Sequence, residues 1–238
     1  MKGGPMNAWV DRPSKFALLP RNGDASKIRW LEMPGRHMFH ELNAWEEDGK
    51  FIADVAAANG TALFPNEDGT WNTHKETTQQ VRRWTFDLTG QTNDVKEEVL
   101  IDRDLQFPRP DDRMVTRKTT HGFANANLES VNGRVDGMDS ALHFDTATGK
   151  DDIYHFGAGA ACGELIFAPR IGSTSEADGY AMTLVHPPNS HHTELTVFQA
   201  LDVAAGPIAR VIIPFKIPSG FHCNYYSAES PLYSGAFH

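Results

Sequence analysis

The sequence is poor in cysteine: Cys162 and Cys223 are its only two, and neither belongs to a CxxC pair. No disulfide-stapled framework is therefore expected. It also lacks any run approaching the roughly 18 consecutive apolar residues that a membrane span needs. The N-terminal residues Met1-Lys2-Gly3-Gly4-Pro5-Met6-Asn7 carry a lysine but no apolar segment behind it, so no signal peptide is visible and a cytoplasmic location is the expectation. Positive charge is scarce as well. Twenty-two lysines and arginines face 31 acidic residues, a net charge of -9, with no basic stripe, which argues against nucleic acid as a partner. A peripheral membrane contact stays open, because an apolar loop patch leaves no trace in a hydropathy scan. Helical periodicity is weak throughout. The best helix candidate, Asp54 to Asn59, is too short to carry weight.

What is abundant is turn chemistry. Twenty glycines and fourteen prolines cut the 238 residues into short apolar runs that read as strands. Met38–Trp45 and Phe51–Val55 flank Asp48-Gly49 and read as a hairpin. Val81–Asp87 alternates, turns at Thr89-Gly90 and pairs with Val95–Asp102. The polar, proline-bearing stretch Asp104–Gly122 reads as a loop or a very short strand, and Ala141–Asp145 and Ile153–Phe156 flank Thr148-Gly149-Lys150. Glu164–Ala168, Tyr180–Val185, Leu195–Phe198 and Ile208–Ile213 follow as four strands joined by short loops, which forces antiparallel neighbours. Such a meander has the size of one β-propeller blade. The pattern alone gives an all-β chain of one domain, with a propeller as one arrangement among several.

Eleven histidines are the candidate ligands. His74, His191 and His192 sit in polar loops, and His143 and His155 lie on strands beside a turn. His37 and His40 could form a metal pair, but strict alternation along a strand puts residues three apart on opposite faces. On that reading His40 shares a face with Leu42 and Ala44, His37 with Glu41 and Asn43, and at most one of the two histidines meets a central site. His222 follows Pro218-Ser219-Gly220-Phe221, at the entry to a strand. Imidazole suits iron, zinc and copper alike, so residue type leaves the metal open.

The order of several segments narrows this. Phe39-His40-Glu41-Leu42-Asn43-Ala44-Trp45-Glu46-Glu47, then Leu105-Gln106-Phe107-Pro108-Arg109 with Thr116-Arg117-Lys118 and His121-Gly122-Phe123, then Gly163–Arg170 with Glu176–Tyr180, then Ala205–Val211 and Pro218–His222, together resemble the carotenoid cleavage oxygenase family, which also contains the lignostilbene dioxygenases. The resemblance covers essentially the whole chain. It implies a seven-bladed β-propeller of antiparallel four-stranded blades, of which this chain is the C-terminal portion. It implies Fe(2+) on the propeller axis, held by four histidines, with His40 and His222 matching the third and fourth. Glu164 and Gln106 match positions whose side chains hydrogen-bond to ligand histidines. Gln106 departs from the family's glutamate: its amide oxygen can still accept a hydrogen bond but carries no charge, so a weaker site is expected. Phe39 and Phe221 are the aromatic candidates for lining a substrate tunnel.

The implied reaction is oxidative cleavage of a conjugated carbon–carbon double bond by O2 into two carbonyl products. The implied substrate is an apolar or phenolic alkene: a carotenoid, apocarotenoid or stilbenoid. Family members are about twice this length, and the first two histidine ligands belong to the half not represented here. His121 and His186 are not obvious replacements. The chain alone is accordingly expected to bind iron poorly and to be inactive unless an N-terminal half or a second copy closes the ring, and its open sheet faces and edges are expected to be prone to aggregation. The alternative is a truncated, catalytically inactive propeller fragment or binding module.

Overall fold

The computed structural model describes residues 12–128 and 138–228; the N-terminal stretch Met1–Asn7 discussed above lies outside them. Strands β1 (Ser14–Leu18) and β2 (Arg29–Met33) form a two-stranded hairpin. Strands β3 (His37–Glu47), β4 (Lys50–Ala58), β5 (Gln80–Asp87) and β6 (Lys96–Ile101) form an antiparallel meander, with one short helix, α1 (His74–Thr77), in the β4–β5 connection. A second meander contains β7 (Leu105–Arg109), β8 (His121–Ala126), β9 (Ser140–Asp145) and β10 (Lys150–His155). The third is built from β11 (Ala161–Cys162), β12 (Ile166–Pro169), β13 (Gly179–His186), β14 (Thr193–Gln199) and β15 (Ala209–Ile213). These meanders are blades of a β-propeller. No helix of the described residues is long and apolar enough to cross a membrane.

The blades stack because alternate residues of one sheet face opposite neighbours. Val55, Ala57, Trp84 and Phe86 pack against Leu31 and Met33 of the β1–β2 hairpin. Their strand neighbours Ala56 and Val81 pack the other way, against Leu105, Ala124, Leu142 and Phe144 of the next blade. Phe123 and Ala141 then meet Leu165, Phe167, Ala181 and Phe198 of the last blade. This two-sided burial corrects the helix reading of Asp54–Asn59. Val55-Ala56-Ala57-Ala58 is the end of β4, fully buried on both faces, and small side chains there let the flanking sheets approach. At the other end, β15 leaves Val211 and Ile212 exposed on successive positions, so both of its faces are uncovered among the described residues.

Two polar features tie together the strands of the β3–β6 meander. Glu97 on β6 accepts from Arg36, from Arg82 and from the indole N–H of Trp84, at 2.7–3.1 Å. Asp54, fully buried on β4, is bound in a two-pronged fashion by its cross-strand partner Arg83, 2.8 Å on each oxygen. Burial nevertheless pushes the Asp54 carboxyl upward, against the pull of Arg83.

Gly179 opens β13 where a Cβ would overlap the carbonyl oxygen of Ala168 and the ring of Phe167. A backbone oxygen in a paired strand cannot rotate away, so Gly179→Ala is expected to cost about 2–3 kcal/mol in urea unfolding; an unchanged midpoint would contradict this packing. A second expectation concerns pH. Burial disfavours the Glu97 carboxylate, but the bonds from Arg36 and Trp84 and the charge of Arg82 outweigh it and hold the group below the usual range. Its folded value is depressed, so its stabilisation is present above the ordinary glutamate value of about 4.3 and is lost as pH falls through the folded value. Glu97→Gln should lower stability at pH 7 and flatten its decline between about pH 5 and pH 3; parallel pH profiles for the two proteins would refute the assignment.

Candidate metal centre and cavity

The site begins with a fault in strand β3. Met38 pairs with Ala57 and His40 pairs with Ala56, so Phe39 is an extra residue, a β-bulge. A second irregularity lies between Glu41 and Asn43. The first bulge resets the alternation. His37 opposes Ala58 and His40 opposes Ala56, two positions apart on β4, so both histidines fall on one face. The expectation that strand parity separates them is thereby corrected: His37, Phe39 and His40 all line one cavity of about 770 Å³. Leu42 does share the His40 side, packing in the same cluster as Ala56. Asn43, assigned above to the opposite face, turns to the neighbouring blade, where its side chain donates to the carbonyls of Met114 and Arg117 and accepts from the amide of Thr116. That side chain pins the loop after β7.

His40 meets β7 at Gln106. Nδ1 of His40 lies 3.1 Å from Oε1 of Gln106. An amide oxygen only accepts, so Nδ1 carries the proton and Nε2 keeps its lone pair. Burial lowers the basicity of His40, partly offset by Gln106 and reinforced by nearby His222. His222 is arranged in parallel: its Nδ1 lies 3.3 Å from Oε1 of Glu164, a carboxylate with 1% exposure. The other oxygen of Glu164 accepts from the amide of Cys223 at 2.5 Å. The two imidazole rings approach edge to face, 5.4 Å between centroids.

Thus His40, His222, Gln106 and Glu164, distant in the sequence, converge at one place. Phe39 and Phe221 are there too, both lining the cavity, 43% and 72% exposed. The sequence reading missed Phe107. It sits at an irregularity in β7, between the Gln106 and Arg109 pairings, with φ of 54°. A phenylalanine in the left-handed region is unusual, and such strain concentrates at functional sites. Its ring is held 4.6 Å from His40 and 5.5 Å from His222. A proline beside a half-hydrophobic run was the only available signal, and it does not specify the turn. His186 also lines the cavity, with burial lowering its basicity; His121 does not, being paired instead with His143 at 3.1 Å.

Chemically, an imidazole anchored through Nδ1 offers Nε2 as a donor, and two of them are ligands of the kind that a divalent transition metal takes. Among the described residues no group of three or more His, Cys, Asp and Glu side chains is arranged to hold a metal ion. The donors present therefore fit part of a metal site.

Comparison with known proteins identifies the family. The profile of the family described as retinal pigment epithelial membrane protein matches residues 1–227. The chain is 32% identical over 231 residues to lignostilbene-alpha,beta-dioxygenase isozyme III of Sphingomonas paucimobilis, covering 91% of this chain and 47% of that protein. It is 27% identical over 226 residues to isoeugenol monooxygenase of Pseudomonas nitroreducens, covering 92% and 47%. The crystal structure of lignostilbene dioxygenase from Pseudomonas brassicacearum superposes with a TM-score of 0.80 at 36% identity, covering 90% of this chain and 46% of that one. A cobalt-substituted Synechocystis ACO superposes with a TM-score of 0.77 at 28% identity, covering 90% and 44%. The chain spans about half the length of the curated relatives it matches. The chain belongs to the carotenoid oxygenase family, the family of the retinal pigment epithelial membrane protein.

Proposed function

We propose that this chain carries part of the active centre of a non-haem iron(II) dioxygenase, one that cleaves a conjugated carbon–carbon double bond of a carotenoid, apocarotenoid or stilbenoid into two carbonyl products. The observation that carries this reading is the His40–His222 pair, two imidazoles 5.4 Å apart with each Nδ1 held by an acceptor. When bound, iron(II) supplies the activation of O2 that the cleavage needs. The chain's own residues do the rest. His40 and His222 present Nε2 to the metal. Gln106 and Glu164 hold the ring orientations and tautomers, and Glu164, as a carboxylate, makes His222 the stronger donor of the two. Phe39, Phe107 and Phe221 offer apolar ring faces at the same wall, suited to a flat conjugated substrate and to excluding water from it. The relatives are named for lignostilbene and isoeugenol, which supports a substrate that packs on such a wall.

Two ligands make a weak site. The purified chain is expected to take up iron(II) well below one per chain and to yield no aldehyde from a stilbene or apocarotenal in air, until the complementary half of the propeller or a second copy supplies further ligands. Stoichiometric iron and product from a purified monomer would overturn this. The second reading, a non-catalytic propeller module, rests on the same shortage of converging ligands; product formation on mixing with a complementary half would exclude it.

Gln106 gives a further handle. Gln106→Glu places a charged acceptor on His40 Nδ1 and should tighten metal binding by about tenfold, the lower end of the usual effect of such partners. Anaerobic titration with iron(II) measures it. An unchanged affinity would contradict the assignment of His40 as a ligand.

A further inference from the structure

The segment that carries His222 has no strand to hold it. After β15 the chain runs from Ile217 to Ser227 without ladder pairing, and Phe221 and His222 are largely exposed. Among the described residues, few hydrogen bonds tie it down. The amide of Ile217 donates to Thr193 Oγ1, and His222 and Cys223 bond to Glu164. Besides the ring contacts of Phe221 and His222 with Phe107 and His40, the further hydrogen bonds among the described residues come from one side chain, Arg109, at the end of β7.

Arg109 spans the site. Its Nη1 lies 3.4 Å from Oε1 of Glu164 and 3.2 Å from the carbonyl oxygen of Cys223. Its Nη2 lies 3.1 Å from Oδ1 of Asn224 and 3.2 Å from both oxygens of Asp112. One planar group therefore grips the segment on the C-terminal side of His222 and touches the same carboxylate oxygen that accepts from His222 Nδ1. We propose that Arg109 is the positioning residue for His222: its fork clips residues 222–224 to the blade and sets the Glu164 carboxylate that fixes the His222 tautomer.

The geometry explains why arginine stands there. Glu164 is buried, and a buried carboxylate needs its charge matched and its lone pairs filled. The imidazole N–H and one amide leave it short of a cation, which Arg109 supplies. Asp112 holds the guanidinium from the other side, so the fork cannot swing out with the segment. A lysine would bring the charge but only a point donor, unable to hold Glu164, Cys223 and Asn224 together with Asp112. Sequence alone gives no hint of this, since Arg109 and Asn224 are far apart in the chain and meet only because the segment folds back over β7.

The test uses the whole chain. In Arg109→Ala, the amides of His222, Cys223 and Asn224 should exchange with deuterium about tenfold or more faster, while core amides such as Ala181 and Phe198 keep their protection. The 15N spectrum of His222 should move from the Nδ1–H form toward the Nε2–H form that free imidazole prefers. Arg109→Lys should likewise keep the core protection and should restore neither the His222 tautomer nor the full protection at 222–224. If Arg109→Ala folds poorly, Asn224→Ala removes one tie only and should shift exchange at 222–224 in the same direction by less. Unchanged exchange and tautomer would overturn the proposal, as would uniform loss of protection across the blades or full recovery with lysine. These readouts need no metal. Only one consequence rests on the iron reading, a weakening of cobalt(II) binding by about tenfold in Arg109→Ala. A wild-type chain that shows no cobalt(II) binding would sink that reading and leave exchange and tautomer to decide on Arg109.

Discussion

Glu164, a carboxylate with 1% exposure, needs hydrogen-bond partners for both of its oxygens, and those partners come from two distant parts of the chain. His222 and Cys223 belong to the unpaired C-terminal segment, and Arg109 belongs to the neighbouring blade. Satisfying one buried carboxyl group therefore brings a segment without ladder pairing to a defined place and presents an imidazole at the cavity. The His40 side of the site uses a neutral amide for the same orienting task. This asymmetry, one charged and one uncharged acceptor, is built into the two blades that meet there.

The blades can offer such a platform because they are close-packed on both faces. Trp84 and Phe86 are locked against the β1–β2 hairpin, with Phe16 edge-on to both rings at 5.1 Å. Glu97 ties β6 to Arg36, the residue just before β3, which fixes where the bulged strand starts. From there the bulge at Phe39 turns His37 and His40 to the cavity. Several backbone irregularities meet at this wall: the first β3 bulge, the β7 irregularity and the positive φ of Phe107 all lie beside the two histidines.

Much of the blade pattern was legible in the sequence, because turns such as Asp48-Gly49 need positive φ and announce themselves; both residues adopt it here, at 49° and 71°. The last blade was readable for the same reason, its strands being separated by glycine- and proline-bearing loops. Two readings failed on tertiary grounds. Val55–Ala58 resembles a helix by composition, and only the sheets stacked on both of its faces make it a strand. His37 and His40 were separated by counting residues, and a bulge is an extra residue that counting cannot locate. Gln106 and Glu164 could be named from the resemblance, and the structure puts each within hydrogen-bonding distance of a named histidine. Arg109, Phe107 and Asn43 act through contacts far along the chain, and no local pattern marks them.

The central claim is that His40 and His222 form the metal-facing pair. The most direct measurement is the metal content of the chain purified anaerobically with iron(II) supplied in excess, together with its mass in solution, for the wild type and for His40→Ala/His222→Ala. The account predicts a small but measurable uptake in the wild type, rising if the chain self-associates into a closed form, and none above background in the double variant. Iron retained equally by the double variant would contradict it.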